Sequence, residues 1–225
     1  MALKLPVIVL NVKSYRESMG EKGLALARIC ESVAEETGVS IAIAPQQVDL
    51  AWIARQVKIS CLAQHADALE AGSRTGYVVL EAVKAAGAVG TLLNHSEHPM
   101  DIADVDAAVQ QAKQLGLITI VCAKDTDAST ALAKLRPYSI AVEPPALIGS
   151  GIAVSKADPK IVSESVEVVK KIYKDIAVLC GAGITTGEDV RAAIELGAEG
   201  VLLASGVVKA KDPRAALLDL AGGIR

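Results

Sequence analysis

The sequence predicts an α/β fold, a closed (β/α)8 barrel built from the whole chain as one domain, residues 1–225. Three observations point there. Short apolar runs alternate with amphipathic helical stretches at a period of roughly 25–30 residues, the rhythm of strand–helix units. The runs are rich in β-branched residues and do not alternate apolar with polar, as expected of strands covered on both faces. No composition break interrupts the series, and open doubly wound sheets rarely carry so many even units.

The expected strands are PVIVLN (6–11), VSIAIAP (39–45), ISCLAQ (59–64), AVGTLLN (88–94), LITIVCA (117–123), SIAVE (139–143), IAVLCG (176–181) and GVLLA (200–204). Between them lie helical patterns. In EKGLALARICESVAEE, Leu24, Ala27, Ile29, Cys30 and Val33 fall near one face. DIADVDAAVQQAKQL and DPKIVSESVEVVKKIY each open on an Asp, Asp101 and Asp158, placed to cap a helix and face the positive end of its dipole. Gly38, Gly87, Gly116 and Gly197 sit where helices should end before the next strand.

Composition narrows the function. Hydrophobic residues make up 52% and charged residues 22%, the balance of a globular chain. There is no Phe and one Trp, so aliphatic residues must fill the core. The net charge of −3, without a Lys/Arg cluster, excludes a nucleic-acid footprint. Cys30, Cys61, Cys122 and Cys180 are widely spread with no C-x-x-C pair, so they read as buried packing thiols rather than a disulfide frame or zinc site. The start, MALKLPVIVLN, has too short an apolar run for a signal peptide, and no run reaches transmembrane length. A cytoplasmic protein is expected.

In a barrel of this kind, chemistry belongs on the loops after the strands. Those ends carry Asn11-Val12-Lys13, Asn94-His95-Ser96-Glu97, Glu143 with AVEPPALIGSG, Gly181-Ala182-Gly183 and Ala204-Ser205-Gly206. An acid, an imidazole, an ammonium and small-residue turns thus face one mouth. Alone, Glu143 reads as a solvated strand edge or cap partner, His95 as a structural histidine and Lys13 as a loop lysine. Convergence favours chemistry. After Glu143, two prolines stiffen the chain and Gly149-Ser150-Gly151 loosens it, a rigid entry into a mobile loop. His95 is expected to precede a helix, whose N-terminus would disfavour imidazolium.

Together, N-x-K after the first strand, N-H-S-E after the fourth and E-P-P-x-x-I-G-x-G after the sixth resemble triosephosphate isomerase, and C-G-A-G-I resembles its archaeal branch. The likeness runs from Asn11 to about Lys209. It implies interconversion of dihydroxyacetone phosphate and glyceraldehyde 3-phosphate through an enediolate, without a metal or cofactor. Glu143 would be the base, His95 the electrophile and Lys13 the cation for phosphate and oxyanion, a division of labour already described for this enzyme. Asn11, Lys13, Ile148, Gly149, Gly183, Ala204 and Ser205 would bind substrate, with Ser96, Glu97 and Thr75 supporting; Glu97 would neutralise Lys13 in the empty site. The long loop AQHADALEAGSRTGYV would carry Thr75 to a neighbouring subunit's site, implying a homodimer or homotetramer through residues 64–77.

Some features depart from that pattern or compete with it. Ala146-Leu147 stands where many members carry a Trp, and Tyr-Gly-Gly-Ser is missing after the seventh strand. His95, Glu97 and His98 have H-x-x-H spacing, but helical geometry would not converge Glu97 with the two histidines, so no metal site is expected. His65 reads as a surface or interface residue. G-A-G-I-T-T-G misses the dinucleotide fingerprint by one position and lacks a fitting acid further on. Two other readings share the fold: a different phosphosugar enzyme, and a catalytically silent sugar-phosphate sensor.

Overall fold

The computed structural model describes residues 3–149 and 151–224. Eight strands close into a parallel barrel in sequence order: β1 (Val7–Asn11), β2 (Ser40–Ala44), β3 (Ser60–Ala63), β4 (Gly90–Leu93), β5 (Ile118–Ala123), β6 (Ser139–Val142), β7 (Ala177–Gly181) and β8 (Gly200–Leu203). Closure is made by β1, which pairs with β2 through Val7↔Ser40 and with β8 through Val7↔Gly200. Every predicted apolar run contains one strand.

Each strand is buried on both faces, and its alternation sorts two packing layers. Val7, Val9, Leu62, Leu92, Ile120, Ala141, Leu179 and Leu202 fill the barrel interior together. Ile8, Leu10, Ile43 and Val201 face the outer helices, as do Val121, Ile140 and Val178 on the other side. A Phe-free set of aliphatic side chains fills a narrow lumen in interdigitating layers, which is the packing such barrels use.

The outer layer includes α1 (Glu21–Thr37), α2 (Leu50–Ala54), α3 (Leu80–Ala85), α4 (Ile102–Leu115), α5 (Thr126–Ala133), α6 (Val154–Ala157), α7 (Pro159–Ile172), α8 (Gly187–Glu195), α9 (Ser205–Val208) and α10 (Pro213–Ile224). Leu24, Ala27, Cys30 and Val33 form the buried stripe of α1, with Ile29 at its margin. Gly38 and Gly116 end α1 and α4 in the left-handed conformation, at φ 71° and 72°. Asp158 caps α7 by accepting from the Ile161 amide. Asp101 occupies the equivalent position on α4, yet its side chain makes no capping hydrogen bond. Capping needs the carboxylate turned toward the first-turn amides, which residue type alone does not decide. All four cysteines are buried free thiols, and burial, the largest influence, pushes Cys30 and Cys61 up to about 12.

No helix among the described residues is long and apolar enough to cross a membrane.

Candidate active site

The alternation that fills the lumen also aims residues at its mouth. Asn11 continues the inward series of Val7 and Val9, and Glu143 continues that of Ala141. Both line a cavity of about 260 Å³ with Lys13, His95, Glu97, Ile148, Gly149, Gly183, Ala204 and Ser205. Every residue expected to bind substrate is therefore at one cavity. Ser96 and Thr75 are exposed and do not line it.

His95 needs a local device to face inward, because Leu93 already packs outward. Asn94 supplies it by adopting φ 56°, which breaks the strand alternation. Asn is among the few non-glycine residues that visit this region readily. Its amide is pinned on both sides: Nδ2 donates to the Cys122 carbonyl at 3.0 Å, and Oδ1 accepts from the Met100 amide at 3.0 Å. Lys13 (φ 50°) and Ala182 (φ 67°) share the left-handed region, so among the described residues three of the four non-glycine residues with positive φ lie at this mouth. Such clustering is the mark of a functional rim.

No helix directly follows His95. The chain makes a turn, and α4 starts only at Ile102. Pro99 explains the delay, since it biases His98 away from helical geometry. Within that turn the Glu97 amide donates to His95 Nδ1 at 3.1 Å. A ring nitrogen that accepts cannot also carry a proton, so the proton of the neutral ring is on Nε2, facing the cavity.

Nε2 of His95 lies 3.7 Å from Oε2 of Glu143, too long for a hydrogen bond. That oxygen is buried without any hydrogen-bond partner. Glu143 is 7% exposed. Burial, the largest influence, raises its carboxyl above the ordinary 4.5, while His95, the Cys122 thiol and Lys13 pull down without cancelling it. The result is a carboxylate with raised proton affinity and a free lone pair. Room for it comes from β7, where a Cβ on Gly181 would lie 2.2 Å from Glu143 Cγ.

Lys13 Nζ pairs with Glu97 Oε1 at 2.7 Å, and the Lys13 amide donates to Asn11 Oδ1 at 3.0 Å. The ammonium side chain is 11% exposed and its partner 56%, so the pair sits at the solvent margin, where an incoming anion can compete for the cation. Opposite it, small residues bring backbone to the cavity. Gly183 (φ 71°) runs so close to the Ile152 carbonyl that a Cβ there would sit at 1.9 Å. Ala204 and Ser205 lie at the start of α9. Gly149 and Gly151 have φ of 72° and 75°, after a 3-10 turn over Pro145–Leu147. Ser150, expected at the tip of that loop, lies outside the described residues.

A family model described as Triosephosphate isomerase matches residues 6–221. The chain belongs to the triosephosphate isomerase family. Curated relatives bearing that name are alike over nearly their full length. The Methanocaldococcus jannaschii protein is 55% identical over 214 residues, 95% of this chain and 98% of its own. The Methanopyrus kandleri protein is 54% identical over 224 residues, 99% of each chain. The Methanobacterium bryantii protein is 53% identical over 219 residues, 97% of each.

Sequence reasoning missed Gln64 and Tyr15, and named Asn94 at a strand end without giving it a role. Asn94 turns His95 inward, and an Asn directly after a strand is a usable signal for a left-handed residue. Gln64 Nε2 donates to the carbonyls of Lys13 and Ala44, both at 3.0 Å, and nothing local announces that role. Tyr15 lines the cavity with Lys209 Nζ 4.2 Å from its ring centre. His65, read as a surface or interface residue, is half-buried: it stacks on His98 at 3.9 Å and contacts Asp67 Oδ1 at 3.3 Å. Among the described residues no group of three or more His, Cys, Asp or Glu could hold a metal ion.

Proposed function

We propose that Glu143, His95 and Lys13 carry the chemistry of a triose-phosphate isomerase on this barrel. The enzyme is an aldose–ketose isomerase, interconverting dihydroxyacetone phosphate and D-glyceraldehyde 3-phosphate, a step of glycolysis and gluconeogenesis. Glu143 Oε2 removes a proton from the carbon beside the substrate carbonyl and returns it to the neighbouring carbon. Meanwhile the His95 Nε2–H donates to the oxygen that gains charge, stabilising the enediolate. Lys13 leaves Glu97 and moves its positive charge to the substrate, while Asn11 holds the Lys13 backbone in place. Ile148, Gly149, Gly183, Ala204 and Ser205 receive the phosphate. The loop from Pro144 to Gly151 covers it, excluding water and limiting loss of phosphate from the intermediate. No step calls for a metal or cofactor.

The observation that carries this reading is the buried, unbonded Glu143 Oε2 at 3.7 Å from His95 Nε2. We further read residues 1–225 as one domain of a cytoplasmic enzyme. It assembles as a homodimer or homotetramer through residues 64–77, with Thr75 reaching the neighbouring subunit's site. The loop base supports this: Asp67 Oδ2 accepts from the Val78 amide at 2.6 Å, holding the loop ends together while Thr75 and Tyr77 stand exposed. The test is a coupled isomerase assay in metal-free, nucleotide-free enzyme, with inhibition by phosphoglycolate. Tight triose-phosphate binding without turnover would sink the catalytic assignment and leave a sensor.

A further inference from the structure

A second buried carboxylate gathers partners just behind the phosphate-facing turn. Asp189, near the start of α8, is 4% exposed. Its Oδ2 accepts from the Thr185 amide at 3.0 Å, the Thr185 hydroxyl at 3.2 Å and the Thr186 amide at 2.9 Å. Its Oδ1 lies 2.9 Å from Lys156 Nζ. Thr185 itself lines the cavity, beside Gly183 and Ile184. Lys156 belongs to α6, the helical turn into which the Gly149–Gly151 loop returns, and its ammonium also reaches Glu188 Oε2 at 2.9 Å.

Part of this arrangement has an ordinary explanation. Thr186 and Asp189 form a capping box on α8, which accounts for the Thr186 contacts. A capping box needs no cation from another segment. Here the returning end of the loop is tied to the same place repeatedly. The Val154 amide donates to the Ala182 carbonyl at 3.3 Å, and the Ser155 hydroxyl donates to the Asp189 carbonyl at 3.2 Å. The Ile152 carbonyl fills the space a side chain on Gly183 would need. Electrostatics gives the cation a further role. Asp189 is a full negative charge behind backbone that must receive a phosphate dianion, and an uncompensated charge there would oppose binding.

Resting on the phosphate-handling reading above, we propose that Asp189 and Lys156 are positioning residues for phosphate binding. Asp189 holds the Gly183–Thr185 turn in place. Lys156 ties the loop's returning end to that turn and cancels the Asp189 charge. The pair is charged across the working pH range: burial would push the Asp189 carboxyl up, but Lys156 and the Thr185 and Thr186 donors bring it down to about 2.

The experiment compares Lys156→Met, Lys156→Arg and wild type in two readouts, the steady-state constants for dihydroxyacetone phosphate and direct titration with inorganic phosphate. The Lys156 side chain is 46% exposed, so both variants keep the fold. Lys156→Met should weaken phosphate binding and raise KM by about two- to fivefold each, the scale of a partly exposed ion pair acting through Asp189, with kcat changing less. Lys156→Arg should recover most of this, because it keeps the charge and the donors. Unchanged phosphate affinity in Lys156→Met would overturn the inference. The titration needs no turnover, so an inactive wild type would remove the isomerase assignment while still leaving this comparison to decide the role of Lys156.

Discussion

Glu143 and Asp189 are both acids buried in the same half of the barrel, 7% and 4% exposed, and they behave in opposite ways. Asp189 is saturated, with Lys156 on one oxygen and three donors on the other. Glu143 keeps Oε2 without a hydrogen bond and is held above the ordinary carboxylate range. Burial is common to both, so the partners decide. An acid surrounded by donors becomes a fixed structural charge, and one left short of them becomes a base.

The comparison can be broken most severely at the base. Glu143→Gln should lower kcat by about 10³- to 10⁴-fold, the upper part of the range a positioned base supplies. It should also stabilise the protein at neutral pH. The folded state raises the Glu143 proton affinity, so its stabilising preference for the neutral form is complete below pH 4.5 and is lost as pH rises through the folded value. Gln keeps that neutral form at every pH. Its thermal midpoint at pH 7 should therefore exceed the wild type's by about 2–4 °C per kcal/mol released. A midpoint that falls would mean Glu143 has a partner that matters for the fold.

Gly181→Ala tests whether the spare space around Glu143 is part of the design. The new methyl would meet Glu143 Cγ, so the carboxylate must shift. A displacement of this size should cost on the order of 10²-fold in kcat with little change in KM. Wild-type turnover would show that the base tolerates a second position.

The pH–rate profile separates the two acids. Activity should fall as pH drops through the raised value of Glu143, with the acid limb above pH 4.5, because the protonated carboxyl cannot accept a proton. Asp189 stays ionised far below that limb. Its depressed value means that it contributes stability above about 3.8, lost as pH falls toward 2. The smallest effect is expected from Asp189→Asn, a loss of about 2–4 °C in thermal midpoint at pH 7 with the acid limb of kcat unmoved, the scale of a lost helix cap. A shifted limb would place Asp189 in the titration that controls catalysis.

Much of the barrel was legible because its signals are local. Residues 7–11 and 118–123 announce buried strands by their own composition, and Gly38 and Gly116 end helices by their own φ. The strand ends were legible too, so Asn11, Lys13, His95 and Glu143 could be named from position in the series. Three features were not. The turn after His95 depends on Pro99 and on a hydrogen bond to a ring nitrogen. The inward swing of His95 depends on a φ at Asn94, held by Cys122 and Met100 from elsewhere in the chain. Gln64 reaches Lys13 across the barrel rim.

Residue order alone thus determined the strand–helix rhythm, the burial of each strand and the identity of the groups at the mouth. Those depend on a few neighbouring residues and on side-chain chemistry. Tertiary packing decided the rest: which oxygen of Glu143 is left unbonded, and that Lys156 meets the buried Asp189. Proton affinity is set by desolvation and by charges and donors within a few ångströms, and only the folded chain brings Lys13, His95, Glu143 and Asp189 to one end of the barrel.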